Sequence, residues 1–124
     1  MTTTPTALAH TRPTGRAHTT SRQAIRQVFG PRATDAECIG AQESTGTPGY
    51  FNPRAVGDAG ERGIFQIHPI HFGQLVGHGV RRFRIVADRL FDPFYNARVA
   101  FEMSGGGRYW RPAWNATAGK CGLR

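Results

Sequence analysis

The chain has 124 residues, which is room for one domain with its own core and excludes two domains of ordinary size within these residues. Its 16 Lys and Arg residues outnumber 8 Asp and Glu residues, and the net charge of +8 favours an anionic partner. No segment approaches the roughly 20 apolar residues of a membrane-spanning helix. The amino terminus also lacks the apolar segment of about 7–15 residues that a signal peptide needs. We therefore expect action in the cytosol, or delivery by a route that needs no signal.

The amino-terminal segment differs in composition from the rest. Residues 1–19 are poor in apolar side chains, rich in threonine and interrupted by Pro5 and Pro13. Such a segment buries too little surface to offset the entropy lost on ordering. The sequence therefore predicts a flexible tail or linker over residues 1–19 and a folded domain over residues 20–124.

The folded part opens with two predicted helices. Apolar residues recur at helical spacing over residues 21–29, and a Gly-Pro pair follows. Thr34 and Glu37 have the spacing of a capping box, with Thr34 at the N-cap. This pattern predicts a second helix that ends around residues 44–46.

The remaining elements predict a mainly α fold. Residues 47–62 are rich in Gly, Pro, Asn and Asp and predict a long loop, whereas residues 63–67 predict a short strand or a tight turn. Residues 76–90 are basic and poorly periodic. Asp92 and Pro93 have the pattern of an N-cap followed by the first helical residue, which predicts a third helix.

Glu43 has the most informative position among the few acidic residues. It falls in the last turn of the predicted second helix, and residues 63–67 can fold back onto it. Burial disfavours the charged carboxylate, and so does the negative end of a helix dipole. Both effects raise the pKa toward neutral pH, as a general acid that cleaves a glycoside requires. On the helix alone, an ordinary helix-end glutamate paired with an arginine is the alternative.

The two cysteines, Cys38 and Cys121, allow one disulfide. Such a bridge would tie the second helix to the carboxyl-terminal segment and, because the loop is long, would stabilise the fold by about 4 kcal/mol. Two cysteines offer no pairing pattern to check, so two separate buried thiols are the alternative.

Five short motifs lie in a fixed order along residues 21–116. In chain order they are Glu43-Ser44, Asn52-Pro53 with Ala55-Val56, Gly63-Ile64-Phe65-Gln66-Ile67, Asp92-Pro93 with Asn96-Ala97, and Trp110 with Trp114. The series resembles the lysozyme-like domains of soluble lytic transglycosylases, and is most similar to the muramidase modules of phage endolysins and tail proteins from actinobacterial hosts. The resemblance implies a lysozyme-like fold of the mainly α, α+β type, in which a short strand and turn region lines a cleft.

The resemblance also implies roles for single residues. Glu43 would protonate the glycosidic oxygen between N-acetylmuramic acid and N-acetylglucosamine and then act as a base, while Phe65 would pack under its helix. Gln66 would face the cleft and hydrogen-bond substrate. Asn96 would contact substrate, with a structural amide as the alternative. Trp110 and Trp114 could stack on sugar faces or pack in the core, and the core position is favoured for Trp110. The expected substrate-binding residues are Ser44, Phe65, Gln66, His71, Asn96 and Trp114.

The second catalytic carboxylate is assigned to Asp58, which lies in the loop before the Gly63 turn. If Asp58 positions a water, the reaction is hydrolysis. Otherwise the N-acetyl group of the substrate closes on the anomeric carbon, and Glu43 as base completes a 1,6-anhydro ring. Glu61 is a rival for the role, and Asp58 can also serve as a turn residue that binds its own backbone.

His68 and His71 are the only histidine pair close enough in sequence to suggest a metal site. No third ligand follows at the spacing of a zinc site, so we expect no metal and no other cofactor. We expect His71 at the edge of the cleft instead.

The predicted function is that of a muramidase, a glycoside hydrolase that cuts the MurNAc–GlcNAc β-1,4 bond of peptidoglycan. The alternatives are a non-hydrolytic lytic transglycosylase and, from another class, a catalytically silent wall-binding or virion structural protein. The expected partners are peptidoglycan glycan strands and anionic wall polymers, with no specific nucleic acid, and we expect a monomeric domain. A phage lysin that reaches the wall through a holin or a virion would need no signal peptide; otherwise its place is the host cytoplasm.

Overall fold

A computed structural model of the protein describes residues 15–124, which form four α-helices and one small sheet. The helices are α1 (Gly15–Phe29), α2 (Ala33–Ser44), α3 (Pro93–Met103) and α4 (Arg111–Lys120). The sheet pairs β1 (Leu75–Val76) with β2 (Phe83–Arg84) in an antiparallel hairpin. The prediction of a mainly α domain is therefore confirmed. Residues 63–67 form a tight turn, one of the two predicted alternatives, and the described strands lie in the segment that follows. Among the described residues, none of the helices has the length and apolar character that crossing a membrane requires.

Helix α1 begins earlier than the sequence predicted. Residues 15–19 are helical and do not belong to a tail; the rest of the predicted tail, residues 1–14, lies outside the described residues. The early start has a tertiary cause. The ring of His18 stacks on Phe51 at 5.5 Å between centroids, and the Phe51 N–H donates to His18 Nδ1 at 3.3 Å. The first turn of α1 is therefore stabilised by a loop more than thirty residues away in the chain. Helical periodicity in the sequence cannot predict such a contact.

The capping box predicted for α2 is wrong. A 3₁₀ turn over Gly30–Arg32 leads straight into the helix, and the Ala33 N–H donates to Gly30 O, so no side chain is needed as a cap. Glu37 instead faces α1, where its carboxylate pairs with Arg22 at 3.7 Å and with Arg26 at 3.6 Å. The helix ends at Ser44, within the predicted range.

An aromatic cluster fills the centre of the core. Phe65 stacks on Trp110 with 5.9 Å between ring centroids, and Trp110 meets the edge of Trp114 at 5.2 Å. Phe65 lies directly under α2, because a Cβ atom built on Gly40 would be 3.5 Å from Phe65 Cζ. The packing of Phe65 beneath the helix of Glu43 and the core position of Trp110 are both as predicted.

A disulfide between Cys38 and Cys121 joins α2 to the residue that follows α4. The two Cα atoms lie 6.0 Å apart, and the bridge closes a loop of 83 residues. By loop entropy such a closure stabilises the fold by about 4 kcal/mol. Of the two alternatives that the sequence left open, the structure contains the bridge.

Candidate active site

Glu43 lies in the last turn of α2 and is only 2% exposed. Its two carboxyl oxygens have different surroundings. Oε2 accepts a short hydrogen bond from the hydroxyl of Thr117 in α4. Oε1 is buried and has no hydrogen-bond partner among residues 15–124. One oxygen is thus held by the protein, and the other is left to bind a ligand or carry a proton.

The surroundings of Glu43 raise its pKa from 4.5 to about 7. Burial is the largest cause, because a desolvated carboxylate is costly to charge. The negative charge of Glu61 raises the pKa further, whereas the hydrogen bond from Thr117 and the positive charge of Lys120 lower it. A substantial fraction of Glu43 is therefore protonated at neutral pH, which is the state that a general acid needs.

The second buried carboxylate of this region is Glu61 rather than Asp58. Glu61 is 2% exposed, and its Oε1 accepts a hydrogen bond from the Ala59 N–H at 2.9 Å. Asp58 is exposed at the tip of a turn that is closed by a hydrogen bond from Gly60 N to Gly57 O, at 3.0 Å. Of these two carboxylates, Glu61 is the one whose charge affects the pKa of Glu43. The assignment of Asp58 as the second carboxylate is corrected accordingly: the structure favours its alternative as a turn residue.

Gln66 is a support of the turn over residues 63–67 and not an exposed substrate ligand. The side chain is fully buried, and its Nε2 donates to Ala55 O and to Gly63 O, each at 3.0 Å. Its backbone has φ +51°, a left-handed conformation that is rare outside glycine. Its Oε1, like that of Glu43, is buried without a hydrogen-bond partner among the described residues.

Asn96 has the surroundings of a structural amide, which was one of its two predicted roles. It is completely buried at the start of α3, and its Oδ1 accepts from the Phe65 N–H at 2.9 Å. Its Nδ2 donates to Arg62 O and to Leu90 O, both at 2.9 Å. The side chain therefore links the turn to α3 through hydrogen bonds and has no polar group left to bind a ligand.

Ser44, Phe65 and Trp114 are also buried supports, which corrects their assignment as substrate-binding residues. Ser44 Oγ donates to Gly40 O at 2.8 Å and accepts from the Asn52 N–H at 3.0 Å. Trp114 is 0% exposed, and its Nε1 donates to Phe65 O at 2.7 Å. Phe65 itself is 0% exposed. None of the three can stack on a sugar or bind one without a rearrangement of the core.

His71 lies in a short 3₁₀ turn over Pro69–His71, is half-buried, and has its Nδ1 2.9 Å from Gln74 Oε1. No contact connects it with Glu43. His68 accepts at Nδ1 from the Ile70 N–H at 3.0 Å, which caps the same turn. Over residues 15–124, no three His, Cys, Asp or Glu side chains group in a way that could hold a metal ion.

Thr117 is the site residue that the sequence analysis missed. Its residue type and its distance in sequence from Glu43 give no direct signal. The disulfide provides an indirect one: Cys121 follows Thr117 by about one helical turn, and Cys38 precedes Glu43 by slightly more than one. Had the pairing of the two cysteines been known, Thr117 and Glu43 would have been expected to face each other.

No family model matches the chain, and neither a curated protein nor a solved structure matches it. The likeness to lysozyme-like domains therefore depends on the ordered motifs alone. Of the residues in those motifs, the structure places Glu43 in chemically distinctive surroundings, and gives most of the others a role in packing.

Proposed function

We propose that the chain cleaves the β-1,4 glycosidic bond between MurNAc and GlcNAc in peptidoglycan, with Glu43 as the general acid. The observation that carries the proposal is the state of Glu43: a buried carboxyl with a pKa of about 7 and one oxygen that has no hydrogen-bond partner in the described part of the chain. A buried acid with a pKa near working pH is the feature that distinguishes the proton donor of a glycosidase from a structural carboxylate.

The two carboxyl oxygens of Glu43 have different roles in this mechanism. Thr117 holds Oε2, so the proton of the neutral acid resides on Oε1. Oε1 donates that proton to the glycosidic oxygen as the bond to the anomeric carbon breaks, which leaves Glu43 as a carboxylate. The same oxygen then accepts a proton from the incoming nucleophile. Such general acid–base catalysis contributes about 10²–10⁴-fold to a rate.

Peptidoglycan is proposed as the substrate because of the motif resemblance and the charge. The net charge of +8 attracts a polyanionic wall through a nonspecific interaction that salt weakens. Among the described residues, Arg81, Arg82 and Arg84 lie exposed on the hairpin and make no ion pair with a carboxylate. They are available to anionic wall polymers.

A second candidate, the non-hydrolytic transglycosylase, is favoured by the exposure of Asp58. A carboxylate at the tip of a turn in solvent is poorly placed to hold a water against the anomeric carbon. Without such a water, the N-acetyl group of MurNAc attacks that carbon, and Glu43 as base takes the proton of the 6-hydroxyl to close a 1,6-anhydro ring. Hydrolysis would require Glu61 to position the water instead.

Mass spectrometry of digested peptidoglycan tests the proposal. Reducing ends identify a hydrolase, and anhydro ends a transglycosylase. Glu43→Gln removes the transferable proton and should reduce product release by at least about 100-fold. The matched control is Glu37→Gln on the same helix, where the carboxylate pairs with surface arginines and where product release should be unchanged. If wild type and Glu43→Gln both bind walls and release nothing, the chain is a silent wall-binding protein. Equal product release from both would remove Glu43 from the mechanism.

A further inference from the structure

We propose that Thr117 is the positioning residue for Glu43 and that the Cys38–Cys121 disulfide keeps it in place, so that thiol reduction weakens glycan cleavage. This inference depends on the proposed function for its activity readout, although the contact between Thr117 and Glu43 can be tested without activity. The two residues meet across the α2–α4 contact, and the disulfide is the covalent link between the same two elements.

The last turn of α4 needs such a link because the helix is interrupted. Trp114 has non-helical backbone angles, φ −126° and ψ 46°, which separate the first turn of α4 from residues 115–120. Trp114 itself is anchored in the core through Phe65 O. Beyond it only Thr117 and Ala118 are buried, and Gly119 lowers the helix propensity of the segment. So short a helical piece is unstable without tertiary support.

The disulfide supplies that support at the right place. Cys121 directly follows α4, about one turn beyond Thr117, and Cys38 lies on α2 slightly more than one turn before Glu43. The covalent link and the hydrogen bond therefore both join α2 to the end of α4. Without the covalent link, Thr117 and Ala118 are still buried, and the N–H groups of Trp110 and Arg111 still donate to Arg124 O. These contacts anchor the end of the chain, whereas the disulfide is its covalent link to α2.

Thr117 has two effects on the acid. Its hydroxyl donates to Oε2, so that Oε1 is the oxygen without a hydrogen-bond partner among the described residues. It also stabilises the charged form of Glu43, which lowers the pKa against the effect of burial. The charged groups that also act on Glu43 are Glu61, which raises its pKa, and Lys120, which lowers it. Lys120 is on the same segment of α4 as Thr117, so displacement of this segment removes the hydrogen bond of Thr117 and the charge of Lys120, each of which lowers the pKa.

Reduction of the disulfide should therefore act as a switch on the acid. A dithiol such as dithiothreitol gives two electrons and two protons to the Sγ–Sγ bond, which becomes two thiols, and is itself oxidised to a cyclic disulfide. The freed segment no longer holds the Thr117 hydroxyl against Oε2. In a reducing compartment the enzyme would be weakened, and in an oxidising one it would be fully active.

The test combines a carboxyl titration with an activity assay. The ¹³C signal of the Glu43 carboxyl, assigned by its loss in Glu43→Gln, is followed with pH in wild type, Thr117→Val and Thr117→Ser, each oxidised and reduced. Thr117→Val keeps the shape of the side chain and removes the donor. It should raise the pKa of Glu43 and lower kcat about tenfold with little change in KM, since a hydrogen bond to a charged group is lost. Thr117→Ser should restore both. Reduction should shift wild type in the same direction as Thr117→Val. In that variant reduction should add only the smaller upward shift that comes from displacement of Lys120.

Several outcomes would overturn the inference. An unchanged Glu43 titration in oxidised Thr117→Val shows that Thr117 does not position the acid. An unchanged titration after reduction, with near-UV circular dichroism retained, shows that the disulfide does not hold Thr117. Loss of the near-UV signal on reduction means that the bridge supports the whole fold rather than this contact, which also overturns the redox switch. Failure of the proposed function looks different: the carboxyl shifts occur as expected while wild type releases no glycan products.

Discussion

The turn over residues 63–67 and Glu43 at the end of α2 were both expected to line one substrate site, and the structure gives them different surroundings. In the turn, the predicted ligands are buried, and most of their polar atoms bind backbone groups. At the end of α2, Glu43 has one oxygen without a hydrogen-bond partner among residues 15–124 and has a raised pKa. Residues of an ordered motif can therefore serve in packing, while one residue among them has the surroundings of a general acid.

The largest expected effect is a loss of stability on substitution of Gly63, which lies in the tightly packed turn. A Cβ atom at this position would be 2.2 Å from Asn96 Nδ2 and 2.3 Å from Leu90 O, and φ is +81°. Gly63→Ala should lower the free energy of unfolding by about 3–5 kcal/mol, from backbone strain and overpacking together. Gly73→Ala is the matched control, because Gly73 has nearly the same φ, +83°, and nothing within 4 Å. It should cost about 1 kcal/mol by urea unfolding. Equal losses in the two variants would show that the turn is not tightly packed against α3.

The next effect is the pH dependence of the free energy of unfolding that follows from the raised pKa of Glu43. Its pKa is raised in the folded protein to about 7 from 4.5, so the folded state binds the proton more tightly than the unfolded state. The resulting stabilisation is complete below about pH 4.5 and is lost as pH rises through about 7. Because one pKa unit corresponds to 1.36 kcal/mol, wild type should lose about 3 kcal/mol relative to Glu43→Gln between those limits. Urea unfolding at several pH values measures the difference. Parallel pH profiles for the two proteins would contradict a buried protonated acid.

The smallest effect distinguishes the two candidates for the second carboxylate. Because the charge of Glu61 raises the pKa of Glu43, Glu61→Gln should move the alkaline limb of the activity profile toward acid pH. Asp58→Asn, at an exposed turn, should leave the limb in place. The paired pH profiles provide the measurement. A shift in Asp58→Asn alone would return the role to Asp58.

Local sequence patterns predicted much of the fold and the central residue of the site. The mainly α class, the end of α2 near Ser44 and the start of α3 at Asp92-Pro93 depend on short-range capping and periodicity, and the structure bears them out. Glu43 was also identifiable, because the end of an apolar helix is a place where burial raises the pKa of a carboxyl.

The remaining assignments depended on tertiary contacts that no local pattern records. The side chains of Asn96 and Trp114 can donate a hydrogen bond either to a ligand or to a backbone carbonyl. Only the packing of the folded chain determines that both donate to carbonyls. The early start of α1 depends on His18 against a distant loop. Thr117 reaches Glu43 from α4 across a chain separation of 74 residues.

The pH dependence of kcat/KM for glycan release tests the central claim most directly, since it reports the pKa of the acid in the free enzyme. With Glu43 as the proton donor, kcat/KM should fall on the alkaline side with a midpoint near the pKa of about 7. The residual activity of Glu43→Gln should lack that limb. A midpoint near 4.5, the ordinary value for a glutamate, or an intact limb in Glu43→Gln would contradict the account.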